Sequence, residues 1–139
     1  MKISLTKEFS FEMAHALMGY DGACKNIHGH SYRLFVTISG KPIQDKASSK
    51  YGMIMDFGDL KKVVNSSIID RFDHALVLCE GHHFSEMTGT KLVLTPFQPT
   101  CENLLTHFAE LLQPLLPENV RLEKLKMYET ATSYAELEL

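Results

Sequence analysis

Cysteine is scarce in this chain, and the three present, Cys24, Cys79 and Cys101, are widely spaced. An odd, scattered set argues against a disulfide framework. The N-terminus alternates polar and apolar residues instead of forming a solid apolar block, so it does not read as a secretory signal. Together these imply a reducing, cytoplasmic compartment, in which each cysteine is a core residue, a metal ligand or a nucleophile. Positive charge is not in excess either. Fourteen Lys and Arg against 17 Asp and Glu leave a formal net charge of −3, so there is no basic footprint for a nucleic acid. No apolar run approaches the roughly 20 residues of a membrane span. Internal repeats and low-complexity segments are missing. What remains is 139 residues, 45% hydrophobic and 22% charged. That is the composition of one soluble globular domain spanning 1–139, long enough to bury a core without staples.

The strongest pattern is a period of two at the start. Ile3, Leu5, Phe9, Phe11, Met13 and His15 share one phase, with Ser4, Thr6, Glu8, Ser10 and Glu12 in the other. This is a half-buried strand with its odd face inward. A second strand is expected over 28–40, with His28, His30, Tyr32, Leu34, Val36 and Ile38 on its apolar face. Between them "MGYDGACKNI" reads as a loop. In "MDFGDLKKVVNSSIIDRF", Asp56 is the expected N-cap, and Phe57, Leu60, Val63, Val64 and Ile68 form a helical stripe. "DHALVL" closes that unit, and "KLVLT" at 91–95 is a candidate short strand. Thr100 is the expected cap of a second helix carrying Leu104, Phe108, Leu111, Leu112 and Leu115, and Pro117 ends it. "RLEKLKMYET" and "SYAELEL" read as a hairpin turning across 130–132. Paired strands with helices between them indicate an α+β class, an antiparallel sheet with helices on one face.

Side chains two apart on a strand point the same way, so His28 and His30 can reach one ion. His15 lies on the inward face of the preceding strand. If the two strands pair, three imidazoles converge, and three protein ligands with one open position is the arrangement of catalytic zinc. The alternative is three hydrogen-bonded core histidines. His82 and His83 are adjacent, and adjacent residues on an extended chain point apart, so they read as loop residues. His107 reads as a helix-surface residue.

Six stretches occur in one order: "FEMAH", "CKNIHGH", "GMIMDFGDLK", "FDHALVL", "PTCEN" and "ETAT". Together they resemble the 6-pyruvoyl-tetrahydropterin synthase / 6-carboxy-tetrahydropterin synthase family over nearly the whole chain. The resemblance implies the tunnelling fold: a four-stranded antiparallel sheet with two helices on one face, oligomerising into a barrel. It implies a homo-oligomer, a hexamer built as a dimer of trimers, with one Zn²⁺ per subunit on His15, His28 and His30. The implied substrate is a small molecule, 7,8-dihydroneopterin triphosphate. The expected reaction is a lyase step giving 6-carboxy-5,6,7,8-tetrahydropterin, acetaldehyde and triphosphate, on the bacterial route to queuosine and related deazapurines. The alternatives are the 6-pyruvoyl product, with triphosphate eliminated and the side chain intact, and a non-catalytic zinc- or pterin-binding member of the fold.

By the same resemblance Cys24 is the catalytic base and Asp73-His74 a proton relay near it. The other reading of Cys24 is a fourth zinc ligand that closes the site. Glu129 is in phase with Leu125 and Met127, and the resemblance makes it the anchor of the pterin ring, a carboxylate accepting an N–H and an amino group in a fork. Thr100, Cys101 and Glu102 match a stretch that lines the pterin pocket, although Thr100 caps a helix in either case and Cys101 could simply pack. Cys79 stands where the family often has Asn, with no functional consequence expected.

Overall fold

The computed structural model describes all 139 residues. Strand β1 (Ile3–His15) pairs antiparallel with β2 (His28–Gly40) along its whole length, from Ile3 opposite Gly40 to His15 opposite His28. The alternation dictates the outcome: Phe9, Phe11, Met13 and His15 are buried, as are Tyr32, Leu34, Val36 and Ile38 facing the same core. Beyond β2 the chain adds the C-terminal hairpin.

After β2, Asp56 caps α1 (Phe57–Val64), accepting from the N–H groups of Gly58 at 2.7 Å and Asp59 at 3.3 Å. The helix widens into a π turn over Asn65–Ile69 and ends in α2 (Asp70–Phe72). Its buried residues, Leu60, Val64, Ile68 and Phe72, repeat every four. Four residues overshoot an α-turn by about 40°, and the wider π turn takes up part of that drift. Phe57 is not part of the buried stripe: it stands at the exposed start of the helix, 50% accessible.

Strands β3 (Ala75–Cys79) and β4 (Leu92–Thr95) then join the far edge of β1. α3 (Cys101–Leu112) follows, with Thr100 as its cap, accepting from the N–H of Asn103 at 3.2 Å. The chain closes with β5 (Val120–Tyr128), antiparallel to β2, and β6 (Tyr134–Glu138), antiparallel to β5. The sheet order is β4-β3-β1-β2-β5-β6.

The four antiparallel strands expected are β1, β2, β5 and β6. The sheet differs in having six strands, because β3 pairs parallel with β1, and β4 parallel with β3. "ALVL" in β3 is buried on both faces, which erases the alternation by which a half-covered strand is read. A second small cluster, Ala16, Leu76 and Leu78 under Phe84 and Leu92, covers its outer side.

The helices cover the inner face. Phe11 stacks on Tyr32 at 5.1 Å and meets the edge of Phe108, which in turn meets Phe72. His107 is drawn into this contact, contrary to the expectation of a surface residue. Its ring lies 5.2 Å from Phe97 and 6.1 Å from Phe72, and its Nε2 is buried without a hydrogen-bond partner. Burial lowers its pKa, Arg71 adds to this, and Glu110 opposes it. A histidine with a lowered folded-state pKa takes its proton more readily when unfolded, so the stability it permits is full above about pH 6.5 and is lost as pH falls below that. The fall in urea midpoint between pH 7.5 and 5.5 is therefore expected to be smaller in His107→Leu than in the wild type. Equal falls would remove His107 from the acid response.

Candidate metal centre

The end of the β1–β2 ladder places His15 opposite His28, with His30 two residues along on the same face. Two backbone carbonyls set the rings. His15 Nδ1 lies 2.6 Å from the Pro99 carbonyl oxygen, and His28 Nδ1 lies 2.8 Å from that of Asn26. A carbonyl can only accept, so both Nδ1 atoms carry the proton and both Nε2 atoms are bare. Those two Nε2 atoms face one another at 3.0 Å. The Nε2 of His30 is buried and without a hydrogen-bond partner. One nitrogen from each ring lies within 4.8 Å of the other two.

Lone pairs aimed at one another repel unless a cation lies between them. Protonating His15 would relieve the contact, but burial holds its pKa below the ordinary value despite the Pro99 carbonyl and the Glu129 charge. Burial likewise lowers that of His30. A metal ion is the better fit. Nitrogens about 2.0–2.1 Å from a tetrahedral zinc stand about 3.3 Å apart, close to the 3.0 Å between the Nε2 atoms of His15 and His28. The converging set is the three histidines alone. Cys24 is outside that set, so the reading in which it closes the site has no support from the geometry of the chain.

Cys24 is a free, half-buried thiol in the short 3-10 turn Ala23–Lys25. The loop that carries it folds back on β1: the Leu17 N–H donates to the Cys24 carbonyl at 2.8 Å. The Gln98 amide pins the backbone of Met18 from both sides, its Oε1 accepting the Met18 N–H at 3.0 Å and its Nε2 donating to the Met18 carbonyl. The segment 98–100 thus fixes the Cys24 loop, orients His15 and caps α3. Gln98 and Pro99 were not singled out in the sequence. Pro99 acts through its carbonyl, which every residue possesses, so no residue type could signal it.

Glu129 follows β5 in the inward phase, as expected, with Leu125 and Met127 buried beneath it. Its Oε1 lies 3.5 Å from His30 Nε2. Its negative charge is felt across the site, opposing the effect of burial on His15 and His30 and adding to it at Tyr32 and Cys101. Burial pushes the Cys101 thiol up to about 12, and its Sγ donates to the Met127 carbonyl at 3.5 Å. Cys101 is therefore a protonated packing residue at neutral pH. The Thr100 hydroxyl is occupied as a cap, and Glu102 is exposed on the first turn of α3.

Asp73 and His74 do pair, Nδ1 to Oδ1 at 2.9 Å. The backbone around them is tightly held. Asp73 Oδ1 accepts from the Glu12 N–H at 2.9 Å, and Lys91 Nζ donates to the carbonyls of Asp70 and Asp73 at 2.7 and 2.8 Å. His74 needs this support, since its φ of 61° is left-handed, a conformation that costs on the order of 1–3 kcal/mol for a residue with a side chain. Its ring is 77% exposed. It opens on a shallow cleft lined also by Glu12, Met13, Ala14, Gly29, His30 and Ser31. Within one chain no hydrogen bond or ion pair links His74 to Cys24 or to the three histidines.

His82 and His83 are loop residues, as expected, but the loop is not extended. The chain turns at Gly81, with φ 84°, instead of running extended. The two rings stack at 4.4 Å, and His82 is buried. Cys79 is half-buried at the end of β3.

The family model described as 6-pyruvoyl tetrahydropterin synthase matches residues 4–139. The chain belongs to this family. Among curated relatives, a family member from Haemophilus influenzae named 6-carboxy-5,6,7,8-tetrahydropterin synthase is 36% identical, over 95% of this chain and 96% of its own. A Rickettsia felis protein of the same name is 32% identical, over 97% and 99%. Solved structures share the family fold. The 6-pyruvoyl tetrahydropterin synthase of Caenorhabditis elegans superposes with a TM-score of 0.71 at 24% identity, covering 100% of this chain and 96% of that one. That of Plasmodium falciparum gives 0.72 at 18% identity, covering 98% and 96%. No helix is long and apolar enough to cross a membrane.

Proposed function

We propose that this family member is a zinc lyase converting 7,8-dihydroneopterin triphosphate and one water to 6-carboxy-5,6,7,8-tetrahydropterin, acetaldehyde and triphosphate. The observation that carries this reading is the set of unpartnered imidazole nitrogens on His15, His28 and His30 beside the Glu129 carboxylate. Two curated relatives above 30% identity bear the carboxy-type name, which favours that product. The organic product would feed 7-deazapurine (queuosine-type) synthesis in the cytoplasm.

A zinc ion on the three histidines would supply a Lewis acid for negative charge developing on side-chain oxygens of the substrate. Glu129 accepts the pterin N–H and amino group in a fork, fixing the ring at the His30 end of the site. Cys24, as thiolate, takes a proton from the side chain. His74, its Nδ1–H held by Asp73, has Nε2 free to carry a proton onward, in the way that a triad histidine is oriented by its carboxylate.

Because the His74 ring is exposed and bonded to neither Cys24 nor the three histidines within one chain, the relay is completed by another copy of the chain. β4 and β6 end the sheet with open edges, and such edges are usually paired or covered. A hexamer, as a dimer of trimers, meets both needs. Sedimentation velocity is expected to give an oligomer, and an active monomer would refute shared sites. Incubation with dihydroneopterin triphosphate is expected to give the carboxy product and acetaldehyde by mass spectrometry. The pyruvoyl compound as sole product would move the chain to the other branch.

A further inference from the structure

Outside the metal centre, one polar cavity has no role in the reading above. It measures about 370 Å³ and is lined by Lys25, Asn26, Tyr20, His82, His83 and Phe84 among others, with no carboxylate on its wall. Lys25 enters no ion pair, unlike Lys2, Lys50 and Lys124, and it neighbours Cys24 in the same turn. His82 is 1% exposed, and its Nδ1 accepts the Phe84 N–H at 3.1 Å. That bond leaves its one proton on Nε2, as a donor with no acceptor in the chain. No group of the chain occupies that donor, so it is free for an acceptor that enters the cavity.

The cavity also adjoins the metal centre. Asn26 lines it, and the Asn26 carbonyl is the one that orients His28. Moving along β2 toward its start, one meets Glu129 against His30, then His28, then Asn26 and Lys25. The substrate proposed above has its parts in the same order: ring, three-carbon side chain, triphosphate.

We propose that Lys25 and His82 form a subsite for a polyphosphate, taking the triphosphate tail of the substrate and retaining it as the leaving group. Lys25 supplies the compensating charge, and His82 donates one directed hydrogen bond through Nε2–H. The subsite rests on the proposed substrate, but its binding is measurable without turnover.

The probe is inorganic tripolyphosphate, titrated by calorimetry into the metal-loaded oligomer. Lys25→Met is expected to weaken its binding about tenfold, as loss of one charge-assisted hydrogen bond implies. His82→Phe should weaken it similarly, and Lys25, on an exposed turn, keeps the test available if the buried substitution disturbs folding. Lys25→Met should also raise KM for dihydroneopterin triphosphate about tenfold while leaving the affinity for 7,8-dihydroneopterin, which lacks phosphates, unchanged. Equal tripolyphosphate binding by wild type and Lys25→Met, or none by either, would overturn the subsite. Lys25-dependent binding in a protein that does not turn over the pterin would leave the subsite standing and remove the proposed reaction. Normal turnover with Lys25-independent binding would do the reverse.

Discussion

His28→Ala is expected to purify without its metal, where the wild type holds one ion per chain, and to lose turnover by about a thousandfold or more. A loss of that size corresponds to about 4 kcal/mol of transition-state stabilisation. His28 offers its bare Nε2 to the site only because Asn26 holds the opposite nitrogen. Removing the ring leaves two donors, too few for a structural or a catalytic zinc site. Elemental analysis of the purified protein, with activity on the same sample, decides the matter. Metal retained at full occupancy would mean that the three histidines are core residues and that the ion lies elsewhere. Substitution of a buried ligand can also perturb folding, so the oligomer's sedimentation is compared alongside.

Cys24→Ala is expected to give the opposite division: full metal content and turnover reduced by about 10²–10⁴-fold, the range of a lost general base. The converging ligand set does not include Cys24, so nothing in the metal centre depends on its sulfur. The half-buried turn that holds it is tied through the backbone of Cys24 itself, by the Leu17 N–H, and this bond survives the substitution. Loss of metal in Cys24→Ala would make the thiol a ligand. Unchanged turnover with metal retained would remove Cys24 from the role of base; Cys101 could not stand in for it, because its thiol is held protonated by burial.

The legible part of this protein was whatever repeats with the period of its backbone. Alternation placed His15, His28 and His30 on one face, and the ladder register then set two of them opposite each other. Asp56 and Thr100 cap their helices because short acceptor side chains before an amphipathic run do so in any fold. Less could be read where a segment is covered on both sides. β3 carries no alternation, and its parallel pairing with β1 joins residues about sixty apart. The burial of His82, which is a loop residue as expected, and the enclosure of His107 were missed for a related reason. Local geometry left them polar and peripheral, and only the tertiary arrangement of Phe84, Phe97 and Phe72 encloses them. That no hydrogen bond or ion pair joins His74 to Cys24 within one chain is a property of the folded sheet, and the order of motifs in sequence could not express it.

The carbonyl of Pro99 has a consequence for how variation would be tolerated. It orients His15 across 84 positions of chain, and no side-chain replacement can delete it. An alanine scan would pass over position 99 without registering its contribution. Changes in length would not pass unnoticed. One residue inserted or removed between Thr95, which ends β4, and Cys101, which begins α3, would carry that carbonyl out of register with the imidazole. The same slip would draw Gln98 away from Met18. This short connector is therefore constrained in its spacing far more than in its composition, and related chains should vary there by substitution while keeping its residue count.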